Sequence, residues 1–239
     1  MEKTRYQFVA DEIRRRIVTG KYPAKSLIPD QNTLAEEFHV SRMTVKKALD
    51  GLAREGFIYK QSGLGTYVLG IVPLQTISRD SPAGAIDGLT KQLGEDRVTS
   101  DIISFDVGFP NADIQKKLDL TVNRPVYDII RLRRVENDPF ILEHTYMPVE
   151  LVPGLTENIL KGSIYSYLHH SLNLKFGGAY RKIHASLATP FDMKYLEAGE
   201  HDPILEVEEI VWLNNGKNIE YSTARNRYDT RSYTVLDIR

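Results

Sequence analysis

Residues 41–52 decide the fold of the N-terminal part of the chain, and they read SRMTVKKALDGL. The apolar residues of this stretch recur at intervals of three and four, which predicts a helix with one buried face. They are Val45, Ala48, Leu49 and Leu52. Ser41 is a suitable N-cap residue, so the helix is predicted to begin directly after it. The remaining surface near the start of the helix carries Arg42, Met43, Thr44, Lys46 and Lys47.

A helix with this surface is compatible with two interpretations. Guanidinium and ammonium groups near its N-terminal end can bond guanine edges or phosphates, as on a helix that enters the major groove of DNA. The alternative is an ordinary helix whose charged side chains are solvated. The neighbouring segments favour the first interpretation.

Two helical patterns precede this segment. Apolar residues recur at three- and four-residue intervals from Arg5 to Thr19, and the run Arg14-Arg15-Arg16 is predicted to face solvent. A second, shorter helix is predicted from Gln31 to Phe38, following Pro29. Together with the helix after Ser41, these segments predict a three-helix unit.

A β-hairpin is predicted directly after the third helix. Phe57 to Lys60 and Thr66 to Leu69 are β-prone, and the sequence SGLG at residues 62–65 lies between them. Its glycines permit positive φ and a close approach of the backbone to a partner. A phosphate cradle of a nucleotide-binding enzyme is disfavoured, because the six-residue glycine spacing and a strand-turn-helix context are missing. A hairpin after a helix-turn-helix forms a wing.

The charge of the chain argues against a nucleic-acid partner only when it is taken as a whole. The 239 residues have a net charge of −1, but residues 1–70 contain 12 Lys+Arg and 8 Asp+Glu, a balance of +4. The remaining residues contain 19 and 24, a balance of −5. This asymmetry predicts two domains, residues 1–70 and 85–239, joined by a Pro-, Gly- and Ser-containing linker at residues 71–84.

Further features of the sequence bear on disulfides, on metal sites and on the location of the protein. The chain has no cysteine, which excludes disulfides and thiolate metal sites. None of its six histidines has the spacing of a metalloprotease helix, and the adjacent His169 and His170 are predicted to point in different directions. No metal or cofactor is predicted. An apolar signal core and a bilayer-spanning stretch are both missing, so a cytoplasmic location is expected.

The C-terminal part is predicted to be a mostly antiparallel α+β domain. Six β-rich runs alternate with short helical patterns, and turn sequences at Asn137-Asp138 and Asn214-Asn215-Gly216 indicate hairpins. The predicted strands cover residues 98–107, 126–135, 140–147, 179–189, 204–213 and 218–227, and the predicted helices lie near residues 86–93, 113–118, 163–170 and 192–198.

Two arginines of one predicted strand share a face of the sheet. Arg131 and Arg133 are two residues apart, so their side chains point the same way. They could form a fork that binds a phosphate or a carboxylate. They could equally form a cross-strand ion pair, for example with Glu143 or Glu220. The sequence pattern leaves both interpretations open.

The N-terminal motifs resemble the winged helix-turn-helix of GntR-type bacterial transcription regulators. The resemblance is carried by residues 27–29, 34–38, 40–45, 48–49, 52, 55–56 and 63–68. It implies a homodimer that places two recognition helices in major grooves and two wings at minor grooves of a pseudopalindromic operator in double-stranded DNA, with Gly63 and Gly65 letting the wing tip enter the minor groove. Asn32 stands where the family usually has arginine, and it can bond a phosphate or adenine without charge. The residues that the resemblance assigns to DNA binding are Asn32, Ser41, Arg42, Thr44, Lys46, Lys47, Gly63, Gly65 and Thr66.

The C-terminal motifs resemble the UTRA effector domain of the HutC subfamily, a fold similar to chorismate lyase. The resemblance rests on residues 130–133, 163–165 and 220–222, with Pro139, Glu143 and Pro148. It implies a site for a small anionic effector, often a sugar phosphate. The residues that it assigns to this site are Thr90, Arg131, Arg133, Glu143, Ser163, Tyr165 and Glu220.

These observations predict a sequence-specific DNA-binding transcription regulator, most simply a repressor, whose operator affinity is controlled by the effector. An enzyme that turns over a small anion is the alternative, because the UTRA fold resembles that of chorismate lyase. It is disfavoured, because the sequence shows no motif that pairs a nucleophile with a base and no group of residues with metal-ligand spacing. No catalytic residue is predicted.

Overall fold

The computed structural model describes residues 4–70, 80–82 and 88–234. The chain separates into two compact units, and the boundary between them falls between Asp80 and Ser81. Thr234 is grouped with the first unit. Most of the predicted linker, residues 71–84, lies outside the described residues, and its described part, Asp80–Pro82, is a strand.

The first unit contains three helices and a hairpin, in the predicted order. Its elements are α1 (Arg5–Val18), α2 (Gln31–Glu37), α3 (Arg42–Arg54), β1 (Ile58–Gln61) and β2 (Gly65–Val68). Asp30 caps α2 by accepting hydrogen bonds from the N–H groups of Asn32 and Thr33, at 2.7 and 3.1 Å. Ser41 caps α3 by accepting from the N–H of Thr44 at 3.2 Å, as predicted. The caps fix where the last two helices of the unit begin.

One hydrophobic core holds the three helices and the hairpin together. Its buried residues come from every element: Val9, Ala10, Ile13, Ile17, Ile28, Leu34, Val45, Ala48, Leu49, Leu52, Phe57, Ile58 and Val68. The predicted buried face of α3 is therefore present in full. The strands pair antiparallel, with Ile58 opposite Val68 and Gln61 opposite Gly65.

Arg16 corrects the prediction that the arginine run of α1 faces solvent. The residue is only 7% exposed, and its guanidinium donates to Glu12 at 2.9 Å and to the hydroxyl of Tyr22 at 2.8 Å. It also lies 5.0 Å from the ring centroid of Phe38 and donates to Glu37. The hydrogen bond to Glu37 keeps the pKa of Arg16 above its ordinary value. A long side chain can bury its stem while its head stays fully bonded, which helical periodicity alone does not reveal.

The second unit is built on a six-stranded antiparallel sheet with the order β4-β5-β6-β9-β8-β7. Its strands are β4 (Val98–Gly108), β5 (Val126–Val135), β6 (Asp138–Pro148), β7 (Phe176–Leu187), β8 (Pro203–Leu213) and β9 (Asn218–Arg227). A separate two-stranded sheet pairs β3 (Asp80–Pro82) with β10 (Ser232–Thr234). The helices are α4 (Leu89–Leu93), α5 (Ala112–Leu118), α6 (Glu157–Lys161), α7 (Ile164–Ser166) and α8 (Pro190–Tyr195).

The predicted hairpins are present, and two helical details differ from the prediction. Asn137 and Gly216 adopt positive φ in the β5–β6 and β8–β9 turns, at 76° and 82°. Helix α6 was not predicted. The single helix expected over residues 163–170 is instead α7 followed by a π-helical turn, Tyr167–Ser171. In that turn the rings of His169 and His170 lie 5.0 Å apart, so the prediction that they point in different directions is wrong.

Helices cover parts of both faces of the six-stranded sheet. On one face α6 and α7 pack against the sheet through Leu160 and Ile164, which join a core with Ile129 and Met147. On the other face α5 packs against β6 and β9, and α8 packs against β6. No helix within residues 4–70, 80–82 and 88–234 is long and apolar enough to cross a bilayer.

Candidate functional site

The exposed side of α3 carries the residues that the sequence singled out. Arg42, Lys46 and Lys47 are exposed, whereas their neighbours Val45 and Ala48 are buried. The guanidinium Nε of Arg42 donates to Gln31 Oε1 on α2 at 3.3 Å, a long and weak bond that a stronger acceptor could replace. A cationic surface therefore runs along α3, with the start of α2 beside it. Asn32 is exposed and follows Gln31.

The start of α1 extends this surface with residues that the sequence reasoning missed. Arg5, Tyr6 and Arg54 line one open depression together with Lys46 and Lys47. Lys47 Nζ lies 4.1 Å from the ring centroid of Tyr6, a cation–π contact that holds the ammonium in place. Arg54 could have been found by helical spacing, because it lies seven residues after Lys47 and therefore on the same side of α3.

The wing has the backbone geometry that its glycines predict. Gly63 and Gly65 have φ of 75° and 121°. The positive φ of Gly65 favours glycine there, and a Cβ at this position would also require the Leu27 side chain, whose Cδ1 would lie 2.6 Å away, to move. Thr66 is half-buried, and its carbonyl accepts from the N–H of Ile28 at 2.9 Å. Gly63 and Gly65 are exposed, whereas Thr66 joins the wing to Ile28 through this hydrogen bond.

A cavity in the second unit brings together all seven residues that the resemblance assigns to the effector site. They come from five elements: α4, β5, β6, β9 and α7 with its N-cap. The cavity has a volume of about 100 Å³, far more than a single water molecule needs. Thr145, Ser222 and Ala224, on the central strands β6 and β9, also line it.

A cross-strand ion pair lines the cavity. Arg131 Nη2 donates to Glu143 Oε2 at 2.7 Å, and Arg133 Nη1 lies 3.6 Å from the same oxygen. Arg131 Nη1 also donates to the carbonyl of Leu160 at 2.9 Å. Arg133 Nη2 donates to Thr90 Oγ1 at 2.7 Å, which ties α4 to the sheet. The ion-pair interpretation therefore holds for Glu143, and the pair lies inside the cavity.

The cavity also contains residues that the sequence reasoning did not single out. Arg181 Nη2 donates to Glu209 Oε1 at 2.6 Å, across the β7–β8 pair. The strands alternate, so Arg181 and Glu209 share the inner face with Glu220 of β9. Arg231 and Tyr233 also line the cavity, and the Arg231 guanidinium carbon lies 5.0 Å from the ring centroid of Tyr233. These residues could be found only with the strand order, which brings β7 and β8 next to β9.

Burial and neighbouring charges both shift the pKa values of the ionisable groups in the cavity. Burial would raise the pKa of Glu143, but the guanidinium groups of Arg131 and Arg133 outweigh it and hold that pKa below its ordinary value. Burial lowers the pKa of Arg133 and raises the pKa of Tyr165 well above its ordinary value. Burial, and then the charge of Glu209, raises the pKa of Glu220 to about 7. Glu220 is therefore partly protonated near neutral pH.

Some buried polar atoms that line the cavity have no hydrogen-bond partner among the described residues. Among them are Arg131 Nε, Arg133 Nε and Glu220 Oε2. Buried polar atoms in native proteins are nearly always bonded to protein, water or ligand. Unsatisfied donors and an unsatisfied carboxylate oxygen in one cavity are the features of a polar binding site.

The raised pKa of Glu220 predicts a pH-dependent stability. In the unfolded chain this carboxyl ionises near 4.5, whereas in the folded protein it ionises near 7, so the folded state binds more protons between these values. The free energy of unfolding is therefore expected to fall by about 3 kcal/mol as pH rises from about 4.5 to about 7. Glu220→Gln should remove this slope in urea unfolding curves, and Glu150→Gln, at an exposed ion pair, should leave it unchanged. Equal slopes in all three proteins would contradict the prediction.

Comparisons with known families match both units. A model described as "Bacterial regulatory proteins, gntR family" matches residues 5–68, and a model described as "UTRA domain" matches residues 94–231. The "HTH-type transcriptional regulator GmuR" of Bacillus subtilis (strain 168) is 38% identical over 239 residues, covering 98% of this chain and 99% of that protein. The chain belongs to the GntR family of bacterial transcription regulators.

Other relatives match this GntR-family regulator over nearly its full length. The "Mannosyl-D-glycerate transport/metabolism system repressor MngR" of Escherichia coli (strain K12) is 28% identical and covers 97% of this chain and 94% of that protein. The crystal structure of YydK from Bacillus subtilis superposes with a TM-score of 0.81 at 27% identity, covering 99% of this chain and 100% of that chain. MngR is named a repressor, and the YydK structure is described as that of a possible transcriptional regulator.

The family also confirms the predicted fold class. The GntR-family regulator combines a winged helix-turn-helix with a mostly antiparallel α+β UTRA domain, the arrangement of the HutC type. The family does not by itself assign a role to any single residue of the two surfaces described above.

Proposed function

We propose that this regulator is a homodimeric repressor that binds a specific operator and responds to a small anionic effector, such as a sugar phosphate. Its place of action is the cytoplasm, where the DNA lies. The observation that carries the proposal is the convergence of Thr90, Arg131, Arg133, Ser163 and Tyr165 with two carboxylates in one cavity. Residues scattered over more than a hundred positions meet there, and some of their buried polar atoms are unsatisfied.

The charge of the cavity favours an anion. Four arginines line it: Arg131, Arg133, Arg181 and Arg231. Three carboxylates oppose them, and one of these, Glu220, has a pKa of about 7, so its charge is partly lost at neutral pH. The balance is positive, and planar guanidinium groups suit phosphate and carboxylate oxygens. The name of one relative refers to mannosyl-D-glycerate, which joins a sugar to a carboxylate, and a ligand of that chemistry fits this balance.

The two carboxylates also suit the uncharged part of such an effector. Glu143 and Glu220 accept hydrogen bonds, so they can bind the hydroxyl groups of a sugar. Ser163 Oγ already accepts from the N–H of Ser166 at 3.1 Å, which leaves its hydroxyl hydrogen able to donate to the ligand. An effector with an anionic group at Arg131 and Arg133 and hydroxyls towards Glu220 would satisfy Arg131 Nε, Arg133 Nε and Glu220 Oε2.

Dimerisation follows from the modest charge of the DNA-binding unit. A balance of +4 over residues 1–70 supports only a few phosphate contacts, so tight binding needs two linked units on one operator. The exposed cations of α3 then enter successive major grooves, and Ser41 and Thr44 bind the backbone. Asn32, Gly63, Gly65 and Thr66 complete the proposed DNA-binding set.

The effector signal can leave the cavity through a hydrogen-bonded strand pair. Arg231 and Tyr233 line the cavity, and Tyr233 lies in β10, which pairs with β3. Strand β3 lies in the segment that joins the two units. An effector that engages Arg231 or Tyr233 therefore acts on the strand pair through which the chain enters the second unit. By linkage, an effector that weakens DNA binding must bind less tightly to the DNA complex.

The test of this function uses the full chain and an operator selected from random duplex DNA. Fluorescence anisotropy measures operator affinity against a panel of sugar phosphates, with the unphosphorylated sugars and inorganic phosphate as matched controls. We expect at least one phosphorylated member to change the apparent Kd by about fivefold or more and to raise the Tm of the free protein. Failure to select an operator would overturn DNA binding. A panel without effect, or equal effects of the neutral sugars, would overturn the anionic effector.

A further inference from the structure

Leu64 forms the tip of the wing, and its backbone is held in place. Its N–H donates to the carbonyl of Gln61 at 3.0 Å, and its own carbonyl accepts from the hydroxyl of Tyr67 at 3.4 Å. The side chain is 59% exposed, whereas Ile58 and Val68 of the same hairpin are buried in the core. Leu64 is therefore an ordered apolar group that contributes nothing to the core of its unit.

The wing tip carries no charge. Residues 61–66 read QSGLGT and contain no ionisable side chain. The cation that precedes them, Lys60, is bonded to Asp50 of α3. Behind the tip, the rings of Tyr59 and Tyr67 stack with centroids 5.5 Å apart. Any contact that the tip makes with DNA must therefore come from apolar surface and uncharged hydrogen-bonding groups, and phosphate neutralisation contributes little.

The minor groove is the part of DNA that suits such a tip. Minor-groove proteins frequently place an apolar side chain against or between base steps. In this groove a G·C pair differs from an A·T pair by the 2-amino group of guanine, which projects into the groove floor. An apolar side chain packs against an A·T floor but leaves that amino group desolvated and without a partner.

We propose that Leu64 enters the minor groove beside each recognition helix and makes the operator prefer A·T pairs at that position. The inference rests on the proposed DNA binding and adds to it a residue and a base preference. Because the contact is apolar, it contributes affinity that depends little on salt, in contrast to the phosphate contacts of α3.

The first test compares Leu64→Ser with Val18→Ser in the full chain. Val18 is a matched control, because it is 51% exposed at the end of α1 and has no proposed role in DNA binding. Loss of the apolar contact should raise the operator Kd about tenfold for Leu64→Ser, with an unchanged slope of log Kd against log salt. Val18→Ser should bind like the wild type. Thermal unfolding of both variants checks that the hairpin is intact.

The second test changes the DNA and leaves the protein unchanged. Footprinting locates the base pairs under the wing, and these are replaced by G·C or by inosine·C, which presents the G·C major groove without the 2-amino group. Wild-type protein should lose affinity on G·C and regain it on inosine·C, whereas Leu64→Ser should not distinguish the two. Equal wild-type affinity for G·C and inosine·C, or an unaffected Leu64→Ser, would overturn the inference while leaving operator binding itself established.

A charged variant separates the apolar contact from ordinary attraction. Leu64→Lys adds a cation at the same position, so its salt slope should steepen by about 0.9 for each wing that reaches a phosphate. Its preference for inosine·C over G·C should be lost, because an ammonium does not pack against the groove floor. A wild-type salt slope in this variant would show that the tip does not approach the DNA and would overturn the inference.

Discussion

Arg42→Gln is expected to weaken operator binding by about 1–3 kcal/mol for each bidentate contact to a guanine that is lost. Arg42 is exposed at the first position of α3, and its Nε donates a long hydrogen bond to Gln31 Oε1 at 3.3 Å. The guanidinium therefore makes only a weak hydrogen bond within the protein, and it can exchange this bond for one to a base. A symmetric dimer loses the contact twice, so the operator Kd should rise roughly 30-fold or more. Anisotropy titration with the selected operator measures this change.

The control for Arg42→Gln removes the same charge elsewhere. Arg124 lies on the second unit, with 53% of its side chain exposed in an ion pair with Glu150. Arg124→Gln should therefore bind the operator like the wild type. Both variants should unfold within about 0.5 kcal/mol of the wild type, because exposed substitutions have small effects. If the two variants bind the operator equally well, Arg42 does not read bases.

The helices and strands of this chain could be predicted because their signals are local. The apolar spacing of Val45, Ala48, Leu49 and Leu52 and the cap at Ser41 fixed α3 in advance, and the structure has both. Asn137 marked the turn between β5 and β6. Such features depend on neighbours within a few residues, which the sequence displays directly.

The arrangement of the cavity could be predicted only in part, because it depends on cross-strand register. Alternation along β5 placed Arg131 and Arg133 on one face, but their partner among the glutamates followed from the pairing of Arg131 with Glu143. Arg181 and Glu209 lie on β7 and β8, which join the sheet beyond β9. The sequence does not encode that strand order locally. The buried head of Arg16 was missed for a related reason, because its partners Tyr22 and Glu37 lie outside its helix.

Arg131→Met should have the largest effect on the second unit. Only 5% of the Arg131 side chain and 18% of the Glu143 side chain are exposed, so the substitution leaves a buried carboxylate without its main partner. It also removes the donor to the carbonyl of Leu160. Breaking a buried pair costs about 3–5 kcal/mol, and the value should fall towards the lower end because Arg133 lies 3.6 Å from Glu143. Urea unfolding measures the loss, and an unchanged free energy of unfolding would contradict the ion pair.

Stability and effector binding can be separated by removing both charges. Combining Arg131→Met with Glu143→Leu replaces the ion pair by apolar groups, and such replacements are often neutral or stabilising. The double variant should therefore recover most of the free energy of unfolding and still bind the operator. Its affinity for the phosphorylated effector should remain about tenfold or more below that of the wild type, because a charged hydrogen-bond donor is absent. If stability and effector affinity were restored together, the pair would be a structural element alone. Recovery of stability without effector affinity would instead mean that the buried charge is retained for the ligand.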